Sequence, residues 1–353
     1  MDNQSPFTLS YDGVSPRFAS PPTRAGNGAA VLGRASLGKA AWLGARSVIR
    51  ADGHYVSIGD EFRLGARGTV HIAHGVFPTH VGSGVTSGVN SVIHACDVGD
   101  RCHIGRDVVI LDGSNVAAEC ALADGAIVFP RSVLDGGWLY QGAPAKPVRR
   151  LGPGELAQLH RRSRDTGDEP VDAAPPAASP SSRLPLFVAH SARLSGRIFA
   201  GGENGVWFGC DLDAGGHEIR FDEKTNIQDN TVIRSRSRPV VIGRETTIGH
   251  NVRMTDCTVG DRSLIGIGAR VAPGSVVGNH VLLAAGAHTD DGQVLDDGWV
   301  YGGSPARPIG RLDDKKRFII SSTWPTYCEY ARRFRKAQDE LAKLVEIGGR
   351  VQV

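Results

Sequence analysis

The sequence predicts an all-β chain of two parallel β-helices, each followed by an α-helical segment. Three observations carry that prediction. Val92, Val98, Ile104, Ile110, Val116, Leu122, Val128 and Leu134 are all aliphatic and stand six residues apart. The pattern returns at Val259, Ile265, Val271, Val277 and Leu283. VGDRCHIG at 98 and VGDRSLIG at 259 share one displacement with the closing segments GWLYQGAPAKPVRRL and GWVYGGSPARPIGRL, so the fold is written twice.

A helix repeats its apolar residues at three, four and seven and a half-buried strand at two, so neither accounts for a strict six. A triangular coil of very short strands, three faces and about eighteen residues per turn, does account for it. The aliphatic residue of each hexad points inward and stacks on its equivalent in the next coil. Gly99 and Gly105 directly follow such residues, where a tight corner favours a bare α-carbon. The 46 glycines among 353 residues follow no G-X-Y period, which excludes collagen.

Residues 1–28 are rich in Ser, Pro and Gly and predict a flexible arm. The first β-helix domain is expected over 29–165, with Val31, Leu37, Leu43 and Ile49 in step and Ile58, Leu64, Val70 and Val76 continuing in pieces. His71 to His80 reads as a loop leaving a coil. A short helix from Pro153 to about Arg164 closes the domain, with Glu155 in its first turn. Pro170, Pro175, Pro176 and Pro180 mark a linker over 166–183. The second β-helix domain takes 184–312 and a helical tail 313–353. That tail carries Phe318, Ile319, Trp324, Tyr327, Tyr330, Phe334, Leu341 and Leu344 and predicts two helices broken near Pro325, their aromatic face laid on the second β-helix or on a protein partner.

Composition narrows the function. A net charge of +3 makes no case for nucleic acid. No apolar run is long enough for a membrane span, and the acidic, uncharacteristic N-terminus is not a secretory signal. Six cysteines without a CxxC pair read as buried thiols of a reducing compartment, for which the cytoplasm is the default.

TNIQDNTVI (225–233), TIGHNV (247–252), WLGARSVIRAD (42–52) and VNSVIHAC (89–96) resemble the gamma-class carbonic anhydrases and their acetyltransferase-like relatives. The resemblance implies left-handed β-helices, a homo-oligomer built on three-fold packing, and a zinc held by two histidines of one β-helix and one of its neighbour. The family's Arg and Asp fall on Arg50 and Asp52 in the first half, and on Asp213 and Gly215 in the second. Its Gln-Asp pair is Gln228 and Asp229, matched by Gly65 and Ala66. Its three ligand histidines fall on His71, Val89 and His94 in the first half and on Arg234, His250 and Thr255 in the second.

Neither half carries a full ligand set, and Arg234 puts a permanent cation where a metal should sit. On that count the leading expectation is a catalytically silent module that holds an assembly together. The losses are complementary, however. A composite site of the first and second domains would join His71 and His94 to His250, with Arg50, Asp52, Gln228 and Asp229 around a zinc that hydrates carbon dioxide. A third expectation is acyl transfer from a coenzyme A thioester, with one of these histidines as base. His54, His74 and His80 read as solvated, Asp124 and Asp135 as turn formers. Cys96 beside His94 is a remoter nucleophile-base pair.

Overall fold

The computed structural model describes residues 5–166, 181–182 and 186–346. It is a left-handed parallel β-helix architecture in two copies. The chain divides into two compact units, Met1–Val171 with Ala337–Val353, and Asp172–Lys336. The expected linker 166–183 lies almost entirely outside the described residues, as does the tail beyond Glu346.

In the first unit the strands between Asp97 and Leu134 are two residues long and pair in parallel with strands one coil away. Val98 pairs with Val116, Ile104 with Leu122 and Ile110 with Val128, a spacing of eighteen residues in each case. Every member of the Val98 to Leu134 series is buried. Stacked in this way, each aliphatic side chain is removed from water by its two vertical neighbours, which stabilises by about 1.5–3 kcal/mol per side chain.

Val92 departs from the six-residue reading. The residue stacked on Ile110 is Ile93, while Val92 pairs with Val109, whose side chain points away from the coil axis. The corner between Ile93 and Val98 is one residue shorter than the rest. Val76 departs further, at 64% exposure. It lies in an excursion closed by a bridge between Ala73 and Phe77. Below it, Arg63 pairs with Thr86 and Val56 with Thr79, so this coil consumes 23 residues. The loop expected over His71–His80 is this five-residue surplus.

The glycine corners have a different cause from the one the sequence suggests. A Cβ on Gly99 would stand 2.5 Å from Ala118 N, and one on Gly105 2.8 Å from Asp124 N. The bare α-carbon is needed because the next coil passes so close. The left-handed φ falls instead on side-chain-bearing residues such as Arg101 (55°) and Asp107 (54°).

The expected arm 1–28 is coil from residue 5 onward. Phe7–Leu9 pairs in parallel with Ala30–Leu32, Arg17–Phe18 with Ser36–Leu37, and Arg24–Ala25 with Trp42–Leu43. Its Pro and Gly content turns these corners, and Leu9, Tyr11 and Ala25 are buried. The closing helix α1 spans Glu155–Thr166, with Arg149 in a two-point salt bridge to Glu155.

The second unit repeats the scheme. Val259 stacks on Val277 and Ile265 on Leu283, and these eighteen-residue coils follow two wider ones in which Leu212 pairs with Ile233 and Ile233 with Met254.

The tail is one helix, α2, Asp314–Glu346, rather than two. Pro325 sits inside it and removes a backbone hydrogen bond, a change worth about 3 kcal/mol against a helix. Burial keeps the helix continuous. Tyr327, Tyr330 and Phe334 pack edge-on or stacked against Phe187, Trp207 and Phe208, contacts that add about 0.5–1.5 kcal/mol per pair beyond their buried area. Phe318 and Ile319, expected on that face, are exposed, and Ile320 takes the buried place beside Val300 and Leu312. Among the described residues no helix is long and apolar enough to cross a membrane.

Candidate metal centre

In the first unit, the strand Val48–Ile58 carries Arg50 and Asp52, both without solvent exposure. Arg50 Nη1 donates to Asp52 Oδ2, and the backbone N–H of Gly53 donates to Asp52 Oδ1 at 3.0 Å. Burial alone would raise the Asp52 carboxyl. The charges of Arg50 and His71, with the hydrogen bonds, outweigh burial and hold it well below the usual carboxylate range. This carboxylate is therefore an anion whose remaining contact is His71, Nε2 to Oδ1 at 3.0 Å.

His71 and His94 are neighbours in register on adjacent coils. His71 Nδ1 lies 3.3 Å from His94 Nε2. The other nitrogen of His94, Nδ1, lies 2.6 Å from Asp112 Oδ1. Each imidazole thus has one nitrogen on a carboxylate and turns the other toward its partner. A histidine that ligates a metal uses this arrangement, because the carboxylate fixes the tautomer and raises the basicity of the free nitrogen. Two nitrogens bound at about 2.0–2.1 Å to one tetrahedral zinc stand roughly 3.3–3.4 Å apart, which is the His71–His94 separation. Asp112 is the residue that sequence reading missed. It stands eighteen residues, one coil, after His94 and one position past the strand register of that histidine, and the stacking of the coils brings the two together.

In the second unit, His250 and Asp229 are buried side by side. Asp229 Oδ1 accepts from the Phe208 backbone N–H at 3.1 Å. Its Oδ2 stands 3.1 Å from His250 Nδ1, an ion-pair distance without hydrogen-bond alignment. His250 Nε2 lies 3.3 Å from the phenol oxygen of Tyr327. Gln228 is buried, its amide nitrogen 3.3 Å from Asn226 Oδ1. Arg234, in the column that holds His71 in the first unit, binds the carbonyl oxygen of Asp211 at 2.8 Å and its carboxylate at 3.0 Å. It pairs in register with Thr255, as His71 does with His94.

One ring nitrogen from each of His71, His94 and His250 lies within 4.8 Å of the other two, a group that could hold a metal ion. The expectation of a silent module with a degenerate site is thereby overturned. It rested on counting ligands in each repeat separately. Cys96 is not a nucleophile for His94. Burial, reinforced by the charges of Asp112 and Asp97, pushes its thiol far above the usual range. All six cysteines are buried thiols.

The chain is 35% identical over 153 residues to gamma carbonic anhydrase 1, mitochondrial, of Arabidopsis thaliana, covering 41% of this chain and 56% of that protein. It is 31% identical over 176 residues to gamma carbonic anhydrase 2, mitochondrial, of the same plant, covering 48% and 63%. The chain is homologous to the gamma carbonic anhydrases. It spans less than two thirds of the length of those two anhydrases. A solved hexapeptide transferase family protein of Anaplasma phagocytophilum is 30% identical, with a TM-score of 0.42, over 43% of this chain and 91% of that one. No family model matches the sequence.

Proposed function

We propose that the chain holds a zinc ion on His71, His94 and His250 and catalyses the hydration of carbon dioxide. The observation that carries the proposal is the three-histidine group with carboxylates behind its imidazoles. Three nitrogen donors would match the protein ligand count of a catalytic rather than a structural zinc. A zinc bound there supplies Lewis acidity that brings the pKa of a water to about 7, within reach of neutral pH.

The chain's own residues do the rest. Asp52 keeps the proton of His71 on Nε2 and so presents Nδ1 as the donor. Asp112 does the converse for His94 and presents Nε2. Arg50, bound to Asp52 and buried with it, keeps that carboxylate ionised and fixed in place. Asp229 places a carboxylate oxygen 3.1 Å from His250 Nδ1, an ion-pair distance. Gln228, one residue before Asp229, completes the polar surroundings.

Zinc content decides the matter. Protein purified without added metal, or reconstituted with zinc and desalted, is expected to retain about one zinc per chain, and a His250→Ala variant to lose it together with carbon dioxide hydration. A reconstituted wild-type chain without zinc would refute the proposal.

A further inference from the structure

The C-terminal helix brings a residue to this centre that no ligand or acid-base role has claimed. Tyr327 is buried, its ring 5.2 Å from Trp207 at 89° and 5.6 Å from Tyr330 at 68°. Both neighbours belong to the aromatic cluster that docks α2, so the phenol is held from several sides. Its oxygen lies 3.3 Å from His250 Nε2.

The direction of that hydrogen bond follows from the far side of the ring. Asp229 Oδ2, 3.1 Å from Nδ1, favours the proton there. Nε2 then carries the lone pair, and the phenol O–H donates to it. The same lone pair is the one His250 would offer a metal. We infer that Tyr327 occupies the donor nitrogen of His250 in the metal-free protein and must release it when zinc binds, so that α2 weakens the affinity of the centre. The inference rests on the zinc reading proposed above.

Three roles for Tyr327 differ in what removing its hydroxyl does. If it competes with the metal, removing the hydroxyl leaves Nε2 buried without this donor when zinc is absent, and zinc relieves that cost. If it only packs, removing the hydroxyl changes stability and not affinity. If it is itself a ligand, removing it weakens binding.

The test is chelator-competition measurement of zinc affinity in the wild-type chain, Tyr327→Phe and Tyr330→Phe. Losing the partner of a buried group costs about 1–3 kcal/mol. At about 1.4 kcal/mol per factor of ten, that predicts zinc binding roughly 5- to 100-fold tighter in Tyr327→Phe. The thermal midpoint of the metal-free variant should fall. Tyr330→Phe, which alters the same cluster without this contact to His250, should bind zinc as the wild type does. Unchanged or weaker binding in Tyr327→Phe overturns the inference and leaves the zinc site standing. No zinc in any of the three chains overturns both. A measurement on the metal-free wild type needs no variant: histidine nitrogen NMR shifts should show His250 protonated at Nδ1, and a proton on Nε2 overturns the inference.

Discussion

Replacing Asp112 by Asn tests whether the carboxylate behind His94 does what a metal centre needs. Asp112 Oδ1 stands 2.6 Å from His94 Nδ1 and accepts its proton, which leaves Nε2 turned toward His71 at 3.3 Å. Asparagine is nearly the same size, but it is neutral and can turn its NH2 to the ring. In that orientation the imidazole must accept at Nδ1 and carry its proton on Nε2, where the metal should bind. Removing an outer-shell partner of this kind lowers metal affinity by about 10- to 100-fold, or roughly 1.4–2.8 kcal/mol. Asp112 is only partly buried, at 41% side-chain exposure, so the substitution leaves the coil intact. The assay is chelator competition on Asp112→Asn beside Asp124→Asn, which removes the same charge at a corner away from His94. The expected result is a loss confined to Asp112→Asn. Equal affinity in both variants, or an equal loss in both, would refute the reasoning and reduce Asp112–His94 to a surface ion pair.

Two further outcomes test the scaffold. His103, beside His160 of α1 and 3.1 Å from the Thr86 hydroxyl, is pushed down to about 4 by burial and then by His160, against the pull of Asp124. Its unfolded value is 6.5, so the unfolded chain binds more protons between those limits. Stability is full above pH 6.5 and declines toward pH 4, by at most about 3 kcal/mol. Hydrogen exchange at the amides of His103–Ile104 and Ala121–Leu122 should show the decline in the wild type and not in His103→Gln. Ile110→Ala, in the stack between Ile93 and Val128, should cost about 2–5 kcal/mol in urea unfolding, whereas Val133→Ala, 77% exposed, should change it by less than about 0.5 kcal/mol.

The fold was legible because the inward column of a β-helix is a pure hydrophobicity signal. Val98 to Leu134 and Val259 to Leu283 are apolar for one reason, contact with the coil above and below. What was illegible was whatever depended on counting. A one-residue deletion at a corner moved the inward role from Val92 to Ile93, and the local sequence reads equally well either way. The arm was misread because Pro and Gly serve both disorder and corners, and only the partner strand tells them apart. Pro325 was misread because propensity ignores what the aromatic face of α2 gains by staying helical. In the site, correspondence between the repeats placed His71 against Arg234 and His94 against Thr255, and the strand register agrees. Asp112 and Tyr327 were out of reach. One arrives by stacking across coils, the other from a helix 77 positions along the chain from His250.

The register column that holds Arg50, His71 and His94 in one repeat holds Asp213, Arg234 and Thr255 in the other. Each of these side chains leaves the coil outward, while the residue before it stays in the stack. Substitutions along such a column therefore rewrite chemistry without touching the hydrophobic ladder that specifies the fold. A duplicated β-helix of this kind works like a rack with fixed slots. One copy can change such a residue while the other retains it, because the change leaves the hydrophobic stack of the scaffold in place. Asymmetry between the repeats is then the expected state of such a chain, and an inventory of each repeat alone will undercount what the whole can bind.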